Sequence, residues 1–132
     1  MFGRKKTPPI RSLIGETSLI DGNLMFSDGL RIDGTVNGDV IAADGAHNIL
    51  VISDKARVTG RVCAGHVIIN GVVNGPVQST ELLELQPKAC IVGDVSYQEL
   101  EMHQGARVEG ELRPLARVEP QPTLKLAVSQ AG

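Results

Sequence analysis

A chain of 132 residues is the size of one domain, and with 2% aromatics and no tryptophan it lacks the rings that usually fill a globular core. With 13 Lys and Arg against 15 Asp and Glu, the net charge of −2 gives no global attraction for nucleic acid. Two cysteines with no secretory leader point to a reducing cytosol, and no apolar run approaches the roughly 18 residues that span a bilayer.

The chain opens with MFGRKK, which sets Met1 and Phe2 ahead of Arg4, Lys5 and Lys6. Thr7-Pro8-Pro9 follows, so the charges lead into no signal-peptide core, and paired prolines disfavour an amphipathic helix. An apolar tip beside a basic cluster suits peripheral attachment to an anionic membrane. Each basic residue contributes about 1 kcal/mol there, and a buried Phe about 1.5–3 kcal/mol. One such arm binds marginally, whereas many arms on one polymer bind well. A short basic N-terminus that is merely solvated has the same composition, so the residues alone leave both readings open. Residues 1–15 are read as this arm, with residues 10–19 (IRSLIGETSL) as the lead-in to the first repeat.

From about Ile20 to Leu112 the chain repeats itself. Three copies share one frame: Ile52, Ala56, Val58, Gly60, Val62; Leu85, Ala89, Ile91, Gly93, Val95; and Met102, Ala106, Val108, Gly110, Leu112. Two copies are shorter and carry Gly in place of Ala: Ile32, Gly34, Val36, Gly38, Val40, and Ile69, Gly71, Val73, Gly75, Val77. A degraded first copy reads Ile20, Gly22, Leu24, Phe26. Apolar residues at alternate positions turn one side of a strand to a core, and the interspersed Gly and Ala mark tight inward space. The central aliphatics (Leu24, Val36, Val58, Val73, Ile91, Val108) are 12, 22, 15, 18 and 17 residues apart. That spacing is too long for tight hairpins and too irregular for propeller blades. It suits an all-β, single-domain β-solenoid of six coils, each of three short strands. At roughly 4.8 Å per coil the rod would be on the order of 29 Å long. The core is expected over residues 16–113, between flexible tails. Residues 114–132 hold Pro114, Pro120 and Pro122 and read as a disordered extension, with a weak alternation over Leu124 to Val128.

Other motifs have modest readings. Asp21-Gly22, Asp28-Gly29, Asp33-Gly34 and Asp44-Gly45 fit corner turns better than calcium sites, whose dense glycine nonapeptide is absent. His47, His66 and His103 occupy unlike places in the frame, so no three-ligand zinc site is expected, and no cofactor. Cys63 follows inward Val62, and Cys90 lies between inward Ala89 and Ile91, so both should face outward at different frame positions. Six acids (Glu81, Glu84, Glu99, Glu101, Glu109, Glu111) fall on outward positions among Arg and Lys, an ordinary solvated surface. No phosphate-cradling loop or nucleophile motif occurs, and the hexapeptide rule of acyltransferase solenoids fails at Ala64 and Asn70. No catalytic residue is expected.

The ends carry the functional signal. No amphipathic capping helix flanks the repeats, which leaves Leu24 and Phe26 open at the first coil, and Met102, Val108 and Leu112 at the last. Two open ends on a rod favour stacking. Flanking segments folding over the ends would instead give a monomeric adaptor.

The chain also resembles a known family. MFGRKK, then IRSLIGETSLIDGNLMFSDGLRIDGTVNGDV, then repeated A-x-V-x-G-x-V coils are similar to the bactofilins, bacterial polymer-forming cytoskeletal proteins. The likeness covers all but the proline-containing tail, and its most specific part is Ser12–Val40. It implies a right-handed triangular parallel β-helix that assembles end to end, without nucleotide, into non-polar filaments. It also implies that the N-terminal arm holds them on the inner face of the cytoplasmic membrane, as scaffolds for cell-wall enzymes or shape-determining complexes. Family members often place an aromatic in the last coil, where this chain offers Leu112 and Leu115. A structural polymer is therefore expected, ahead of a monomeric solenoid adaptor or a small solenoid enzyme acting on sugars or acyl groups.

Overall fold

The computed structural model describes residues 10–43 and 47–115. Coil 1 comprises β1 (Ser12–Ile14), β2 (Leu19–Asp21) and β3 (Leu24–Phe26). Coil 2 comprises β4 (Gly29–Ile32), β5 (Thr35–Asn37) and β6 (Val40–Ala42), and coil 3 β7 (Ile49–Ile52), β8 (Arg57–Thr59) and β9 (Val62–Ala64). In coil 4, β10 (His66–Ile69) and β11 (Val72–Asn74) lead into β12 (Val77–Leu85), whose second half opens coil 5. After β13 (Cys90–Val92), β14 (Val95–Met102) turns the same corner into coil 6, completed by β15 (Arg107–Glu109) and β16 (Leu112–Pro114).

Every strand pairing is parallel, and the strands stack in three faces. The first face runs β1-β4-β7-β10-β12-β14, the second β2-β5-β8-β11-β13-β15, and the third β3-β6-β9-β12-β14-β16. The chain is thus an all-β parallel solenoid of six coils. Like side chains stack along the axis. Ile32, Ile52, Ile69 and Leu85 form one lumen column of the first face, and Leu30, Leu50, Val67 and Leu83 another. Val36, Val58, Val73 and Ile91 line the second face, and Val40, Val62, Val77 and Val95 the third. All of these are buried. A lumen this narrow is filled by branched aliphatics, so the scarcity of aromatics costs the fold nothing.

The corners explain the uneven repeat length. Between the first and second faces, coils 1, 3, 5 and 6 make a long turn. It is closed by backbone bonds from Ser18 to Gly15 (2.9 Å), Ala56 to Ser53 (3.0 Å), Ala89 to Gln86 (2.9 Å) and Ala106 to His103 (3.2 Å). Coils 2 and 4 cut the same corner short at Gly34 and Gly71. There a Cβ would lie 2.3 Å from the Gly15 carbonyl oxygen and 2.2 Å from that of Ser53, respectively. The long turns reach past the short coils to one another, as Lys55 pairs with Glu16 (3.1 Å) and Lys88 with Asp54 (3.4 Å). These pairs are solvent-exposed and contribute little. The 22-residue interval comes from an added loop between β6 and β7, anchored where Asn48 Oδ1 accepts a bond from the Gly65 amide (2.6 Å).

Between the second and third faces, Gly22, Gly38, Gly60, Gly75, Gly93 and Gly110 stack as a ladder with φ of 145–158°, a conformation nearly restricted to glycine. The next residue often ties adjacent coils together. Asn23 accepts from the Asp39 amide, Asp39 from Arg61, and Asp94 from Glu111. Pro76 occupies this column above Arg61, whose side chain could not accept a bond and which meets no N–H there.

Coil 1 corrects one expectation. Ile20 pairs with Val36 and Leu24 with Val40, and Ile14 stacks under Ile32. Leu24 therefore does not belong to the column of Val36 and Val58, and residues 12–20 are not a lead-in but two faces of the first coil. The interval Ile20 to Val36 is 16 residues, not 12. The long turn at Gly15–Ser18, with Ser in the usual Ala place, hid this copy. The Asp-Gly pairs at 21, 28 and 33 do lie at corners, with Asp28 at φ 65°, while Asp44-Gly45 is outside the described residues.

Substitution along the glycine ladder separates two costs. Gly22→Ala meets no atom within 4 Å and should lose only the backbone preference, about 1–3 kcal/mol. Gly60→Ala puts a methyl 2.2 Å from the Gly38 carbonyl oxygen and should lose distinctly more. Urea denaturation midpoints at one protein concentration measure the difference.

Candidate functional site

Inside the rod each strand has a neighbour on both sides. At the ends it has one. β1, β2 and β3 pair only with coil 2, and the second half of β14, with β15 and β16, only with coil 5. Each end therefore presents, on each face, a row of backbone groups with no strand partner among the described residues.

The lumen columns end open as well. In the column of Ile32, Ile52, Ile69 and Leu85, each fully buried, the last member Met102 is 44% exposed. Above Val40, Val62, Val77 and Val95, Leu112 is 43% exposed. Leu100, Ala106 and Val108 are half-buried, and Leu115 just past β16 is exposed. Its amide donates to the Tyr97 carbonyl oxygen (2.6 Å). At the other end Ile14, Ile20 and Leu24 are half-buried, while Phe26 is buried.

The fold thus gathers the predicted residues into two groups, Leu24 and Phe26 at the first coil, and Met102, Val108, Leu112 and Leu115 at the last. Ile14, Ile20 and Leu100 belong beside them and were missed. A signal for Ile14 and Ile20 exists in the sequence: the six-residue step between them equals those of Ile52–Val58, Leu85–Ile91 and Met102–Val108. Phe26 differs from the rest because its ring packs into the core. The predicted membrane contacts Met1, Phe2, Arg4, Lys5 and Lys6, and the segment Leu124–Val128, lie outside the described residues.

The chemistry elsewhere is sparse. His47 contacts Glu81 (3.0 Å) and His103 contacts Glu84 (3.4 Å), while His66 begins β10 with its Nε2 buried and unpaired. Among the described residues no three His, Cys, Asp or Glu side chains converge as metal ligands. Cys63 and Cys90 face outward on different faces, in register with Ile41 and Gln78, and with Val72 and Arg107, respectively. At the last coil Arg113 meets Glu111 (2.6 Å) and Asp94 (3.5 Å), and the Glu111 carboxylate raises the guanidinium pKa above its ordinary value. No helix among the described residues is long and apolar enough to cross a membrane.

Open ends on a stacked rod are what a polymer requires, and comparison with known proteins agrees. The bactofilin family model, described as polymer-forming cytoskeletal, matches residues 12–113. This chain belongs to the bactofilin family. Bactofilin BacP of Myxococcus xanthus (strain DK1622) is 28% identical over 109 residues, covering 83% of this chain and 43% of that protein. Bactofilin BacO of the same organism is 26% identical over 111 residues, covering 84% of this chain and 85% of the relative. The chain therefore spans less than half the length of BacP. No solved structure matches it. The matched residues coincide with the solenoid, β1 to β16, so this bactofilin shares with its family the part that stacks. It is a polymer-forming cytoskeletal protein of a structural family.

The unequal burial at the two ends of this bactofilin has a measurable consequence. Phe26→Ala should lower stability by about 3–5 kcal/mol, because it empties a filled site. Leu112→Ala should cost under about 1.5 kcal/mol, since the side chain is already partly solvated in the single copy. Thermal denaturation at concentrations too low for assembly compares them.

Proposed function

We propose that this bactofilin assembles end to end, without nucleotide, into non-polar filaments. On this reading residues Met1, Phe2, Arg4, Lys5 and Lys6 hold the filaments on the inner face of the cytoplasmic membrane. There they scaffold cell-envelope or cell-shape machinery, such as cell-wall enzymes or their membrane anchors. The observation that carries the reading is the abrupt opening of the lumen columns at Met102 and Leu112 after several fully buried members. Stacking a second coil on that end would bury both side chains and satisfy the strand edge at once, with no cofactor. Coils lying roughly 4.8 Å apart make the next copy a continuation of the same ladder. The basic arm supports the membrane part through its composition, and a filament multiplies its weak individual affinity. No residue is assigned a catalytic role.

Leu112→Arg should abolish filaments while preserving the β-rich circular dichroism spectrum, because it places an unpaired charge in a desolvated contact. Negative-stain microscopy and high-speed pelleting read this out, and filaments of normal length would remove Leu112 from the interface. Deleting Met1–Lys6 should release the protein from anionic vesicles in a flotation assay and leave filament length unchanged. Undiminished vesicle binding would place the membrane contact elsewhere.

A further inference from the structure

The two ends of the rod differ on their outer surface. On coil 1 a large apolar side chain points outward from every face: Leu13 (60% exposed) on the first, Leu19 (63%) on the second and Met25 (75%) on the third. On coil 6 the corresponding outward positions are charged and exposed: Glu101, Arg107 with Glu109, and Arg113. The first coil wears an apolar collar, and the last a ring of charges of both signs.

We propose that coil 1 is the docking surface for coil 1 of a second copy, and that the collar makes this the tighter, salt-resistant joint of the polymer. The inference rests on the end-to-end reading above. The three collar residues project in three directions around the rod, so a lipid surface or one flat partner face reaches at most two of them. A coaxial second copy reaches all three. The collar is also continuous with the half-open lumen residues Ile14, Ile20 and Leu24 and with the unpaired edges of β1, β2 and β3. An occupant that satisfies all of these must offer three strand edges around an apolar centre, which is what another solenoid end offers. Coil 6 is the poorer fit, because Glu101, Arg107, Glu109 and Arg113 would be drawn against Leu13, Leu19 and Met25 and lose water without gaining partners. Like end therefore meets like. The coil 6 joint, ringed by both signs of charge, is the one that salt screens.

The test uses the full chain in analytical ultracentrifugation, with Leu112→Arg to break the coil 6 joint. That variant should sediment as a dimer, in about 1 M NaCl as in low salt. Adding Leu19→Glu and Met25→Glu should raise the dissociation constant of that dimer by about tenfold or more. Both residues are exposed, so the β spectrum should persist; if it does not, Leu19→Gln with Met25→Gln keeps the comparison. A monomeric Leu112→Arg protein, or a dimer indifferent to both collar variants, would overturn the proposal. Loss of the dimer on deleting residues 1–9 alone would also overturn it, since the arm rather than the collar would then be the joint. Failure of the end-to-end reading looks different: the unaltered protein would form no pelletable polymer at all.

Discussion

Each coil is held by the coil beneath it. A single turn of three strands of three or four residues cannot bury its own inward side chains, and its backbone groups along the axis have nothing of their own to bond. Ile52 is buried because Ile32 lies on one side and Ile69 on the other, and Val58 because of Val36 and Val73. Stacking at a fixed spacing supplies both the apolar contact and the hydrogen-bond ladder. The same dependence leaves the terminal coils incomplete, so the interaction that makes the fold also makes the ends adhesive.

The corners keep this stack in register. A ladder of glycines lets successive coils approach closely at the turn between the second and third faces, where any Cβ beyond the first coil would strike the carbonyl below. Asn23, Asp39 and Asp94 stitch neighbouring coils with side-chain acceptors. The opposite corner tolerates turns of two lengths, because a short turn at Gly34 or Gly71 tucks beneath a longer one. A rod built this way absorbs irregular repeat lengths at its corners without disturbing the lumen columns.

Most of the architecture was legible in the sequence. Alternating aliphatics with Gly and Ala at fixed offsets gave six coils, the parallel stack and the inward residues from Ile32 to Val95. They also placed Cys63 and Cys90 outward. The first coil was harder, because Ser18 stands where later copies have Ala and the frame therefore seemed to begin at Ile20. That shift concealed Ile14 as a lumen residue, and with it the outward place of Leu13 and Leu19. Burial was the other illegible quantity. Phe26 and Leu112 look alike as terminal apolar residues, yet one is packed and the other open, since this depends on how far each end coil closes over its own side chains. The membrane contacts of the arm rest on composition and family resemblance alone.

The central claim is that one copy continues the stack of the next, with no other layer between them. X-ray fibre diffraction from oriented filaments measures this directly. Twelve coils, two copies meeting like end to like end, predict an axial repeat of about 58 Å under a meridional reflection near 4.8 Å. A repeat longer than that by about 10 Å or more would mean that other chain segments separate the ends, and the account of open lumen columns as the joint would be wrong.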